Sequence, residues 1–85
     1  MNDPRDRGAA PEETVVDARG LLCPLPVIRL TERIDSVPPG GVLVLLADDP
    51  AAEDDVRLWC RGRGHELLEV AREGRLARIR LRRAP

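Results

Sequence analysis

The chain has 85 residues, with 14 basic and 15 acidic groups and a formal net charge of −1. That length holds one domain near the lower limit for a single core, and the near-neutral balance excludes a whole-chain electrostatic grip on nucleic acid. Every basic residue is arginine and the aromatic content is one tryptophan, which removes lysine Schiff-base chemistry and base-stacking surfaces.

Residues 1–12 are rich in Asp, Arg, Ala, Gly and Pro and are expected to form a disordered tail, leaving 13–85 as the domain. Residues 13–18, with Val15 and Val16, read as a short first strand. The turn-like Asp17-Ala18-Arg19-Gly20 leads into Cys23-Pro24-Leu25-Pro26. A helix is predicted over 24–37, because Val27, Leu30, Thr31 and Ile34 share one face at 3.6 spacing. Pro26 is tolerable within its first turn, and Pro38-Pro39-Gly40-Gly41 ends it.

Val42 to Ala47 is an unbroken apolar run, the pattern of a central strand buried on both faces. Asp48-Asp49-Pro50 reads as a capping pair with proline at the first helical position. Glu53, Asp54 and Asp55 complement the dipole at the start of this second helix, while Arg57, Arg61 and Arg63 gather towards its end. Gly62 and Gly64 supply the stop. Its inner face is expected to carry Ala52, Val56, Trp59 and Cys60. Residues 65–72 read as a third strand, Glu73-Gly74 as a hairpin turn and 76–82 as a fourth strand. There Ala77, Ile79 and Leu81 share one face, and Arg78, Arg80 and Arg82 the other.

The order βαβαββ needs a right-handed crossover in the first unit and an antiparallel closing hairpin. The expected fold is an α/β (α+β) two-layer sandwich: a four-stranded mixed sheet with two helices on one face and the arginine stripe on the open face. Two cysteines cannot build a disulfide framework, no apolar leader segment is visible, and the longest apolar run is too short for a membrane span. A soluble monomer in the reducing cytoplasm, with free thiols, is expected.

Cys23 carries the chemistry. Placed just before Pro24 it reads as a helix N-cap, its sulfur facing the positive end of the dipole and the N–H groups of Leu25 and Val27. A free thiol titrates near pH ~8.5, and a dipole interaction of about 0.3–1 kcal/mol lowers that by under one unit. A larger share of the sulfur than the few per cent of a free thiol is then expected as thiolate at pH 7. Arg19 and Arg29 lie near enough in sequence to add to the effect. The competing reading is a small buried hydrophobe. The prolines at Pro24 and Pro26, which stiffen the exit point, favour the functional one. Cys60 reads as a buried structural thiol, Trp59 as core and His65 as structural. Cys23, Cys60 and His65 give at most three zinc ligands without zinc-finger spacing, so neither a metal nor a cofactor is expected. Arg29 and Arg33 on the first helix are candidate docking charges for a partner, as is the arginine stripe.

Four segments together resemble the TusA/SirA-like sulfur carrier family: Val16-Asp17-Ala18-Arg19-Gly20, Cys23-Pro24-Leu25-Pro26, Ala47-Asp48-Asp49-Pro50-Ala51 and Gly64-His65-Glu66-Leu67. The likeness covers about residues 14 to 83. It implies the two-layer βαβαββ sandwich, also seen in the C-terminal domain of translation initiation factor three. It further implies that Cys23, supported by Gly20, Arg19, Pro24 and Pro26, accepts sulfane sulfur as a persulfide. The implied donor is a cysteine desulfurase or a rhodanese-type protein. An acceptor protein then takes the sulfur on, towards 2-thiouridine in tRNA, molybdenum-cofactor chemistry or sulfur oxidation. Such a relay needs no general base, because the leaving group is itself a thiolate. It makes the protein a carrier, modified and restored, more than a turnover enzyme. Three rivals stand beside it: a thiol redox protein, for which Pro26 occupies the place of the second cysteine; a regulatory module with no use for Cys23; and an RNA-binding domain, which the lack of aromatics opposes.

Overall fold

The computed structural model describes residues 13–85; the expected N-terminal tail lies outside them. The elements are β1 (Thr14–Asp17), α1 (Leu25–Arg33) followed by a 3₁₀ turn (Ile34–Ser36), β2 (Val42–Ala47), α2 (Ala52–Arg63), β3 (Glu66–Glu73) and β4 (Leu76–Arg82). They form one sheet in the order β1-β2-β4-β3. β1 runs parallel to β2, and both pairings of β4 are antiparallel. This is the expected two-layer sandwich, with both helices on one face.

The core follows from the periodicities. β2 is central and apolar throughout, and Leu43, Val44, Leu45 and Ala47 are all buried. Ala77, Ile79 and Leu81 of β4 meet it on the helix side, and α2 contributes the four residues read for its inner face: Ala52, Val56, Trp59 and Cys60. Leu30, Ile34 and Val37 close the core from the α1 side. Each fully buried Leu, Ile or Val side chain is worth about 1.5–3 kcal/mol relative to exposure. No polar or charged residue is buried among the described residues.

α1 is shorter than its apolar face suggests. Val37 precedes Pro38 and must be extended, as its φ −94° and ψ 130° show. The chain therefore leaves the α-helix at Arg33 and tightens into the 3₁₀ turn, where Ser36 Oγ donates to the Arg33 carbonyl at 2.6 Å. On the open sheet face the arginines are largely paired. Arg80 bonds Glu13, with Glu69 at 3.6 Å, and Arg82 lies 3.4 Å from Glu66. Val44 lies on this face opposite Arg80 and is only 2% exposed.

Candidate functional site

The parallel β1–β2 pair sends both following loops to the same end of the sheet, so the starts of α1 and α2 lie side by side. The first loop turns at Gly20, whose φ of +80° is a conformation that side chains with a Cβ resist. Asp48, at the end of β2, receives the Gly20 N–H at 2.9 Å. Asp49 receives the Cys23 N–H at 2.5 Å through Oδ2. The Asp48-Asp49-Pro50 turn thus clamps the cysteine loop by two backbone donors. The capping-pair expectation needs correction here: the residue before α2 is Ala51, which makes no side-chain cap. Asp49 still turns the chain locally, its Oδ1 accepting from Ala51 N–H at 3.3 Å.

Cys23 is exposed, at the tip of this loop. It is not the N-cap. Pro24 takes that place, with φ −97° and ψ 16°, and Pro26 falls in the first turn. The Cys23–Pro24 peptide bond is cis. The Leu25 N–H, expected to face the sulfur, instead donates to the Leu22 carbonyl at 2.7 Å, and Pro26 has no N–H to offer. The sulfur's hydrogen-bond partner lies on α2 instead: Cys23 Sγ–H donates to Asp55 Oδ2 at 2.9 Å.

This geometry reverses the expected activation. The hydrogen bond to the Asp55 carboxylate, reinforced by desolvation and by the negative charges of Asp55 and Asp49, holds the Cys23 thiol above its ordinary range. The nearby arginines do not oppose it. Arg19 makes a two-pronged pair with Asp17, Nε to Oδ1 at 2.9 Å and Nη2 to Oδ2 at 2.8 Å. Those bonds, with the Arg19 backbone N–H, pull the Asp17 carboxyl down to about 2. Arg29 Nη1 donates to the Asp17 carbonyl at 3.1 Å, which ties it to β1 as a brace. Arg33, the other proposed docking charge, is exposed at the far end of α1. Along the chain on either side of Cys23, exposed apolar side chains stand out: Leu22 is 70% exposed, and Leu25 and Ile28 nearly half.

The remaining candidates sit elsewhere. Cys60 faces the core in the last turn of α2, and burial pushes its thiol up to about 11. His65 stacks on Trp59, ring centroids 4.8 Å apart, and its Nδ1 accepts from Ala84 N–H at 2.9 Å. Both residues hold the end of the domain opposite Cys23.

A model of the family described as Sulfurtransferase TusA matches residues 14–83. The chain belongs to that family. Among TusA-type relatives, the sulfur carrier protein TusA of Pseudomonas paraeruginosa is 40% identical over 63 residues, which span 74% of this chain and 80% of that protein. The putative sulfur carrier protein YrkI of Bacillus subtilis is 37% identical over 62 residues, 73% of this chain and 83% of the relative. The same architecture appears in the crystal structure of a SirA-like protein from Desulfitobacterium hafniense. Its TM-score is 0.73 at 23% identity, over 85% of this chain and 99% of that one.

Within this TusA-family frame, the sequence reading put Arg19, Gly20 and Cys23 in a turn running into a helix that Pro24 and Pro26 begin, and the fold keeps that order with Pro24 as the N-cap. It missed Asp55 and Asp49 as neighbours of the sulfur and Leu22, Leu25 and Ile28 as its apolar surround. A signal for Asp55 was present: an acidic run opens the helix that follows a strand parallel to β1, so its first turn must lie beside the cysteine loop.

Proposed function

We propose that this protein is a sulfur carrier that takes up sulfane sulfur as a persulfide on Cys23 and hands it to an acceptor protein. The observation that carries the reading is the exposed Cys23 thiol on a clamped loop, in a chain whose relatives are called sulfur carrier proteins. A carrier must meet two proteins through one sulfur. A thiol at a loop tip flanked by exposed Leu22, Leu25 and Ile28 suits that contact, since such apolar surface favours association. The donor is a cysteine desulfurase or a rhodanese-type protein, and the acceptor serves tRNA 2-thiolation or another branch of sulfur metabolism. The docking surface comprises this apolar rim, with Arg33 further along α1. An empty carrier needs its Cys23 thiol kept free of disulfides, which fits the reducing cytoplasm; no helix among the described residues is long and apolar enough to cross a membrane. The carrier works as a monomer, without a cofactor and without direct contact to nucleic acid.

Intact-protein mass spectrometry tests this. The protein is incubated with a cysteine desulfurase and cysteine, alongside Cys23→Ser and Cys60→Ser. The expected result is a gain of one sulfur atom that Cys60→Ser keeps and Cys23→Ser loses. No gain from either a desulfurase or a rhodanese-type donor would favour a regulatory module of the same fold.

A further inference from the structure

The Cys23 sulfur is held between two parts of the chain that are fixed independently of it. Its own loop is pinned by Asp48 and Asp49. Asp55 stands in the first turn of α2, where its backbone N–H donates to the Ala51 carbonyl at 3.1 Å and its neighbours Ala52 and Val56 are buried. The half-buried carboxylate is thus presented to the sulfur by a packed helix. Asp54, one residue earlier, is exposed.

We propose that Asp55 is a positioning residue that tells the empty carrier from the loaded one: it docks the thiol of empty Cys23 and lets go of the sulfur once a second sulfur has been added. The proposal rests on the carrier reading above. An empty Cys23 has a proton to give, and the 2.9 Å contact uses it. In loading, that proton passes to solvent and the Cys23 thiolate attacks the outer sulfur of a donor persulfide, R–S–SH. A bond forms between Cys23 Sγ and the outer sulfur while the donor's S–S bond breaks. The leaving R–S⁻ takes the electron pair and a proton from solvent, so sulfur changes hands without net oxidation. A persulfide is a stronger acid than a thiol and loses its remaining proton at neutral pH. It then has nothing to donate to Asp55, and two like charges in contact repel.

Among the described residues, the charges facing the sulfur are those of Asp55 on α2 and Asp49 in the turn before it. The first turn of α1 brings Leu25, Pro26, Val27 and Ile28, none of them charged. Arg19 and Arg29 are both engaged by Asp17. The loaded sulfur is therefore pushed outward, past Leu22 and Leu25, to where an acceptor reaches it.

The full chain carrying Cys60→Ser, so that only Cys23 reports, is compared with the same chain bearing Asp55→Asn or Asp54→Asn. Each is assayed empty and after loading with glutathione persulfide, and the rate of alkylation by iodoacetamide is followed by intact mass across the neutral to alkaline range. Empty Asp55→Asn is expected to alkylate severalfold faster near neutrality, with its midpoint displaced to lower pH. The loaded forms are expected to react alike, and Asp54→Asn to change neither rate. Equal rates for the empty forms overturn the proposal. So does an equal acceleration of empty and loaded forms, or an Asp54→Asn effect as large as that of Asp55→Asn. If no variant gains sulfur at Cys23, the carrier reading fails and takes this proposal with it; a sulfur gain with equal empty rates sinks the proposal alone.

Discussion

At Gly20 the backbone takes φ +80°, yet a Cβ built there meets no atom within 4 Å. The cost of Gly20→Ala is therefore conformational alone, about 1–2 kcal/mol, and should appear as a lowered urea midpoint with an unchanged slope. At Cys23 the chain order alone singled out one thiol, which the fold leaves exposed on a loop. Proline on both sides of Leu25 marks a helix start, and a thiol there is either buried or put to use. The sequence could not say which way the sulfur faces. The helix-dipole argument assumed free N–H groups in the first turn of α1, but one goes to the Leu22 carbonyl and Pro26 removes another. The decisive partner, Asp55, lies 32 positions away, and only the packing of two helix starts side by side brings it in.

The turn between β2 and α2 does more for the site than either helix. Its two aspartates accept the Gly20 and Cys23 backbone donors, so the cysteine loop is hung from the neighbouring strand. Removing a charge-assisted, partly exposed bond of this kind costs about 1 kcal/mol. Asp49→Ala should accordingly speed amide exchange at Cys23 by several-fold while leaving the α2 amides beyond its first turn unchanged. Nuclear magnetic resonance exchange rates check this. The apolar faces of β2, α2 and β4 were legible because burial repeats with the period of the element. The end of α1 was not, because the constraint on Val37 comes from the residue after it and ends the α-helix four residues upstream, at Arg33. The Asp48-Asp49 turn was misread for a related reason. An aspartate before a helix has two uses, local capping or reach across a gap, and local sequence does not separate them.

Across the whole molecule, the cysteine loop and the end that holds His65 are set apart. At the far end, His65 accepts the Ala84 N–H, and burial with the charges of Arg83 and Arg63 depresses its pKa. The folded state thus prefers the neutral ring. Its contribution to stability is complete above the ordinary histidine value of about 6.5 and is lost as pH falls through the lowered one. Thermal midpoints should fall on acidification below about pH 6.5, and His65→Asn, which keeps an acceptor near Nδ1 without the titration, should flatten that dependence. The same polarity governs how the domain joins to anything else. β1 enters, and β4 leaves, at the end opposite Cys23: Thr14 aligns with Leu43, and Leu43 with Leu81. Arg83 is tied there to Gly40 and Gly41. A tag, a surface anchor or a whole second domain joined directly to β1 or to the end of β4 would therefore be attached at the end of the sheet away from the thiol. The fold is laid out like a plug-in head with its wiring at the back: both points of attachment lie at one end of the sheet and the thiol at the other.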